Sequence, residues 1–396
     1  MKIGVVTLFA PSNYGNALQM LSLQRYLQGH GHDAEVISHW LSKGCDEVNF
    51  YHNRINGLRD FVRFAMNCLA FGGVWGNFVR EARVKKWVKA NLKMSVLNGD
   101  DTTFEIDKVD YGLVIAGSDQ IWNPDKKWPE FNLLGGLADR IARIAYAASF
   151  GTDDREHFEP ERFVPALKRF NALSVRESSA KAIIADVFGL TADLVCDPVL
   201  LHTKEQWVEI LGINKQRPRK RGVLVYMVAA DFRGRWRELI KIARQTKKRV
   251  DFFAFASYSA PGASWRNPIS AAFTTLKNVA RRVLLYMMGV RCLLKATPTE
   301  FIGYLSNSEM VLTDSFHGMV FSAIFEKKCN VFVGKNIERE TMSARLHDFI
   351  AYAGLPDVVT RNPDVDAAKE LCVTRKLKAL IEFSKQWLDG EVRKCN

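Results

Sequence analysis

Residues 310–325 read Met-Val-Leu-Thr-Asp-Ser-Phe-His-Gly-Met-Val-Phe-Ser-Ala-Ile-Phe, and this stretch holds the side chains best placed for chemistry. The apolar run 310–312 reads as a short buried strand, and Met319, Val320, Ala323 and Ile324 have the spacing of a helix. Ser315, in the joint between them, is placed to cap that helix. The first-turn N–H groups then point past the strand's carboxyl end with the positive end of the helix dipole behind them. Such a corner attracts anions, phosphate above all. His317 stands in the same turn, where an imidazole can exchange a proton with a ligand held by those groups. Gly318 lets the backbone come close. Taken alone, Asp314 and Ser315 could merely cap a helix and His317 could be structural; the surrounding motifs weigh against that.

The elements that must position this joint form an alternating α/β pattern. Residues 2–9 read as a buried strand, 10–16 as a turn, Ala17 to Gln28 as a helix and 34–37 as a second strand, the opening of a doubly wound sheet. The opening lacks G-x-G-x-x-G, and Asn13, Tyr14, Gly15 and Asn16 suit a polar substrate contact better than a dinucleotide. A strand over 111–116 ends in Gly117-Ser118-Asp119-Gln120-Ile121-Trp122-Asn123-Pro124, dense in hydrogen-bonding groups with one indole. Ligands of open α/β sheets collect at strand carboxyl ends. Residues 13–16 are therefore expected to line one crevice with Ser118, Asp119, Gln120 and Trp122, the indole serving as platform for a polyol. A strand over 173–175 leads to Arg176 at a helix start, where the dipole disfavours a cation unless it serves an anion; a salt bridge to Glu177 is the plainer alternative. The basic stretch 214–221 reads as a linker, and strands and helices alternate again from 222 to 333. Two Rossmann-like, doubly wound domains facing a cleft are expected.

The chain's 396 residues, 47% hydrophobic and 25% charged, suffice for two ordinary globular domains. No uninterrupted apolar 18-mer is present, and the N-terminal apolar run is too short for a signal peptide core. Seven cysteines without a C-x-x-C pair point to reduced thiols in a cytosolic protein, with no disulfide framework or zinc site. No clustered His, Cys and carboxylates suggest a metal. The net charge of +13 suits nucleic acid, an anionic membrane surface or phosphorylated substrates. No nucleic-acid-binding module is recognisable, so nucleic acid is not expected. Segments 54–93 and 265–295 interleave Trp75, Trp87, Val283 and Tyr286 with Arg and Lys as an interfacial helix does, which suggests peripheral membrane contact. Core-packed helices with basic outer faces are the equal alternative.

Five motifs, in order, carry a family resemblance. Asn13-Tyr14-Gly15-Asn16 with Leu18-Gln19, Gly117 to Asn123, Ser174-Val175-Arg176-Glu177-Ser178, Cys196-Asp197-Pro198, and Thr313-Asp314-Ser315-Phe316-His317-Gly318 with Phe321-Ser322 together resemble the polysaccharide pyruvyl transferase family. The resemblance implies a fold like the two-domain, GT-B-like glycosyltransferases, with an acceptor-side domain over 1–213, a donor-side domain over 222–375 and a C-terminal helix over 376–396. It implies transfer of the enolpyruvyl carbons of phosphoenolpyruvate onto two hydroxyls of a surface or capsular polysaccharide precursor, giving a pyruvate ketal without metal or cofactor. The acceptor would be a sugar or lipid-linked oligosaccharide, met in the cytoplasm at the inner face of the cell membrane. His317 would be the general acid. Arg176, Ser315, Phe316, Gly318 and Arg345 would hold the donor, and Asn13, Tyr14, Gly15, Asn16, Ser118, Asp119, Gln120 and Trp122 the acceptor. One departure stands out: better-studied members carry Arg-Leu-His where this chain has Ser315-Phe316-His317, so Arg345 or Arg339 is expected to supply the displaced cation. A GT-B type glycosyltransferase using a nucleotide sugar, and a non-catalytic basic membrane-surface protein of polysaccharide assembly, are the alternatives.

Overall fold

Short aliphatic runs buried on both faces make the strands, as parallel sheets covered by helices require. The structure, a computed structural model, describes residues 1–8, 14–37, 73–95, 110–124, 129–213, 221–228, 232–254, 280–293, 295–333 and 340–396. In the first half, Lys2–Val6 (β1), Asp33–Ile37 (β2), Met94–Ser95 (β3), Leu113–Ala116 (β4), Ala142–Ala148 (β5), Ala172–Val175 (β6) and Asp193–Leu194 (β7) form one sheet in the order β3-β2-β1-β4-β5-β6-β7. Every pairing in it is parallel. The second sheet joins Arg221–Met227 (β8), Val250–Ala254 (β9), Val290–Cys292 (β10), Ser308–Thr313 (β11), Lys328–Phe332 (β12) and Val359–Thr360 (β13) in the order β10-β9-β8-β11-β12-β13. Lys369–Glu370 (β14) adds to β12 antiparallel. Two doubly wound, Rossmann-like domains result, as the alternation predicted.

The Tyr14–Gly29 helix begins three residues before the apolar spacing suggested, so Tyr14, Gly15 and Asn16 form its first turn instead of a loop. It is buried on nearly every side, because β1 and β2 lie under one face while the 3-10 turn Pro198–Leu201 and the second domain cover others. Its buried polar side chains are therefore all partnered: Gln19 donates to Thr7 Oγ1 at 2.9 Å, Gln24 to the Lys93 carbonyl at 2.7 Å, and Ser22 to the Pro198 carbonyl.

The two basic, apolar segments fare differently. The described part of 54–93 is a core-packed helix: Val84, Trp87 and Val88 are buried, and the Trp87 indole donates to Thr299 Oγ1 at 2.8 Å. Trp87 thus follows the core-packed alternative, with its ring at the seam between the two domains. In 265–295 the described turn carrying Val283 and Tyr286 is exposed. Among the described residues, no helix is long and apolar enough to cross a membrane.

The Arg375–Lys394 helix returns to the first domain. Ser384 Oγ accepts from the Cys196 N–H at 2.8 Å, the Trp387 indole donates to Asp193 at 2.8 Å, and Leu388 and Val392 are buried. The strand ends that carry the Cys196-Asp197-Pro198 motif are thus braced by the last helix of the chain.

Candidate active site

Strand order reverses between β1 and β4 in the first sheet and between β8 and β11 in the second, and at such switch points the flanking loops part to leave a crevice. Here the two switch points meet. Ser118 and Asp119 follow β4; Asp314, Ser315 and the Phe316–Ile324 helix follow β11. Asp314 Oδ1 accepts from the Val228 N–H at 2.6 Å, pinning the β8 and β11 ends together. Ser315 caps the helix, its Oγ accepting from the Gly318 N–H at 3.3 Å while its own N–H donates to Thr313 Oγ1 at 3.0 Å. Gly318 is required by this packing, since a Cβ there would lie 3.1 Å from Thr313 Cβ. The first-turn N–H groups of Phe316 and His317 have no intrahelical acceptor, as helix geometry dictates.

His317 is 5% exposed and lies against the first domain. A Cβ on Gly15 would fall 2.6 Å from its Cγ and 2.9 Å from its Cε1, so this glycine is what admits the imidazole. On the other side His317 Nε2 is 3.5 Å from Asp197 Oδ2, an ion-pair distance without hydrogen-bond alignment. Asp197 is wholly buried. Burial pushes its carboxyl up, but the neighbouring His317 and Arg176 outweigh burial and hold it well below the usual carboxylate range. Its Oδ1 caps the turn Pro198–Leu201 by accepting from the Val199 N–H at 3.0 Å, which leaves Oδ2 for the site.

Arg176 is enclosed by carboxylates. Its Nε donates to Glu177 at 2.9 Å, one terminal nitrogen to Asp197 at 2.7 Å and Ser118 Oγ at 3.3 Å, and the other to Asp119 at 3.3 Å. The Phe316 ring covers the guanidinium at 4.9 Å. Burial disfavours its charge, and Glu177, Asp197 and Asp119 outweigh burial and keep it protonated. The salt bridge to Glu177, the plainer sequence alternative, is present, and the cluster stays negative even with His317 protonated.

Of the other expected residues, Asn16, Ser118 and Asp119 join this cluster. Asn16 Nδ2 donates to Asp119 Oδ2, and Thr7 Oγ1 holds the Ser118 carbonyl at 3.0 Å. Asp119 itself is in the left-handed region, φ 70°, which turns its carboxylate toward Arg176. Gln120 is half-buried and accepts from Asn123 at 3.0 Å. Trp122 corrects the aromatic-platform expectation: it is 1% exposed, packed 5.5 Å from Phe150 and 6.0 Å from Phe170 between ring centroids, and a ring inside the core cannot stack on a sugar. Tyr14 is likewise in the seam, its hydroxyl donating to the Ala296 carbonyl at 2.7 Å and its ring stacked on Phe301 at 5.4 Å. Asn13, Arg339 and the side chain of Arg345 lie outside the described residues.

The model of the family described as polysaccharide pyruvyl transferase matches residues 13–336, from the residues beside Gly15 to beyond His317. The chain belongs to the polysaccharide pyruvyl transferase family. No curated protein matches its sequence. Among solved structures, UDP-GlcNAc 2-epimerase from Methanocaldococcus jannaschii is similar with a TM-score of 0.48 at 13% identity, over 98% of this chain and 100% of that one. The UDP-GlcNAc 2-epimerase from Neisseria meningitidis bound to UDP-GlcNAc gives 0.43 at 12%, over 100% and 94%. Heptosyltransferase WaaC from E. coli gives 0.34 at 12%, over 85% and 90%.

In this member of the pyruvyl transferase family, sequence reasoning missed two site residues. Asp197 is visible in the sequence only within the Cys196-Asp197-Pro198 motif, with no role attached to it; in the fold its Oδ2 faces His317 and Arg176. Arg80, on the Gly73–Asn91 helix, is 2% exposed at the seam. It stands close enough to Tyr14 and Tyr226 to offset part of the rise that burial imposes on their hydroxyls. Tyr226 in turn stands beside the capping Ser315 side chain. Nothing in the pattern of the basic segment distinguishes Arg80 from its neighbours.

Proposed function

We propose that this pyruvyl transferase moves the enolpyruvyl carbons of phosphoenolpyruvate onto two hydroxyls of a sugar in a polysaccharide precursor, with His317 as the general acid. The observation that carries this reading is a buried imidazole 3.5 Å from a carboxylate held ionised, in the first turn of a helix. A protonated His317 gives its proton to the methylene carbon, and the acceptor hydroxyl forms the first C–O bond at the neighbouring carbon. Phosphate leaves as its C–O bond breaks, and the second hydroxyl closes the ketal. One hydroxyl proton restores the imidazolium and the other departs with phosphate. Asp197 offsets the positive charge that His317 carries before transfer.

The donor's phosphate or carboxylate fits the first-turn N–H groups of Phe316 and His317. We assign Arg80, whose charge reaches Tyr226 beside the capping Ser315, to the role of the arginine that Ser315 displaces. Arg176 is then a positioning residue, because three carboxylates hold its guanidinium. The acceptor side falls to the Asn16, Ser118 and Asp119 cluster.

The test is phosphate release from phosphoenolpyruvate with synthetic or lipid-linked galactoside and mannoside acceptors. Acceptor-dependent release is expected, abolished in His317→Gln and with KM for phosphoenolpyruvate raised about tenfold in Arg80→Gln, the loss of one charge-assisted hydrogen bond. Phosphoenolpyruvate is also expected to raise Tm, since it binds the folded state. No release with any acceptor, together with a Tm raised by nucleotide sugars instead, would overturn the reading.

A further inference from the structure

The second domain carries an outward face whose chemistry the transferase reaction does not use. The Phe232–Thr246 helix packs on β9 and β10, at the edge of the sheet away from β12 and β13. Beside it, the helical turn 280–287 is anchored by Leu285, which is fully buried among Leu239, Ile240 and Val290. The same turn holds Val283 at 53%, Leu284 at 40%, and Tyr286 and Met287 each at 76% exposure. Of the five large hydrophobic residues exposed among the described residues, four are on this turn; the fifth is Phe383. Isolated exposed hydrophobics need no explanation, but a contiguous group does.

A groove of about 650 Å³ opens between the two helices, lined by Trp236, Ile240 and Leu284 with Arg237, Lys241 and Arg244. Arg237 and Arg281 stand over the Trp236 ring at 5.2 Å and 5.5 Å. Among the described residues no Asp or Glu lines the groove: Glu238 pairs with Arg235 at 3.0 Å, and Asp366 accepts from the lining Gln245 at 2.8 Å. Cations around exposed aliphatic and aromatic side chains match a surface that is anionic outside and apolar beneath. A nucleic acid would use the cations and leave Val283, Leu284 and Met287 without a role. A second copy of the chain on a two-fold axis would set this basic face against itself.

We propose that this face seats the protein on the surface of an anionic lipid bilayer, with the 283–287 turn at the headgroup–acyl boundary and the groove taking lipid phosphates. The test is co-sedimentation of the full chain with vesicles of mixed phosphatidylglycerol and phosphatidylcholine, or of phosphatidylcholine alone. The wild type is expected to bind only the mixed vesicles. Tyr286→Ser with Met287→Ser, and separately Lys241→Glu with Arg244→Glu, are each expected to weaken binding about tenfold or more. Tm and phosphate release from phosphoenolpyruvate with a soluble acceptor are expected to stay at wild-type values. Failure to bind mixed vesicles would overturn the proposal. So would unchanged binding in the serine variant, which would leave diffuse charge as the cause. A wild-type dimer in analytical ultracentrifugation that the serine substitutions dissolve would assign the face to a second copy.

Discussion

The imidazole of His317 rests on the Cα of Gly15, across the boundary between the two domains, although the two residues are about three hundred positions apart in the chain. The glycine's role is space, since its backbone is not in the left-handed region. A methyl group would meet a ring whose backbone is fixed by the Ser315 cap and whose far side faces Asp197.

Gly15→Ala is therefore expected to move the ring and lower kcat by about 10²-fold, the effect of a displacement on the order of 1 Å at a reacting group. Overpacking is expected to lower stability by about 1–3 kcal/mol. Steady-state kinetics and thermal melts read both, and KM for phosphoenolpyruvate is expected to change little.

Removing Arg176 leaves Asp119, Glu177 and Asp197 crowded without compensation. Arg176→Met is expected to destabilise the fold by about 3–5 kcal/mol, as breaking a buried ion pair does. Chemical denaturation measures it. A raised KM for phosphoenolpyruvate with unchanged stability would instead make Arg176 a donor-binding residue.

Asp197 ties stability to pH. Its folded carboxyl is held below the ordinary range, so its contribution is fully present above the unfolded value of about 3.9 and is lost as pH falls below that value toward the folded one. The Tm difference between wild type and Asp197→Asn is expected to be constant above about pH 5 and to shrink below about pH 4. Calorimetric scans across that range check the sign.

Trp122 lies in the core. Trp122→Ala is expected to cost about 3–5 kcal/mol of stability. Trp122→Phe is expected to leave KM for the acceptor unchanged. A several-fold rise in acceptor KM for the Phe variant would return the indole to the sugar site.

The sequence made the alternation of strands and helices legible because strands such as Leu113–Ala116 are buried on both faces and bounded by polar joints. The Ser315 cap and the placement of His317 followed from the same local rules. Strands of two residues, Met94–Ser95, Val359–Thr360 and Lys369–Glu370, carry no period to read. Burial was also invisible: Tyr14, covered at the domain seam, looks like a polar substrate contact, and Trp122, covered in the first-domain core, looks like a ligand platform. The enclosure of Arg176 depends on Asp119, Glu177 and Asp197 converging from three strand ends, of which only Glu177 is its neighbour in sequence.

The central claim, that His317 protonates the methylene carbon of phosphoenolpyruvate, is tested most directly by running the reaction in D2O and examining the ketal methyl group by NMR. Wild type is expected to give a methyl carrying one deuterium. His317→Gln is expected to lose about 10²–10⁴-fold in the rate of its formation while phosphoenolpyruvate still raises its Tm. Singly deuterated product formed by His317→Gln at the wild-type rate would contradict the account and place the acid elsewhere.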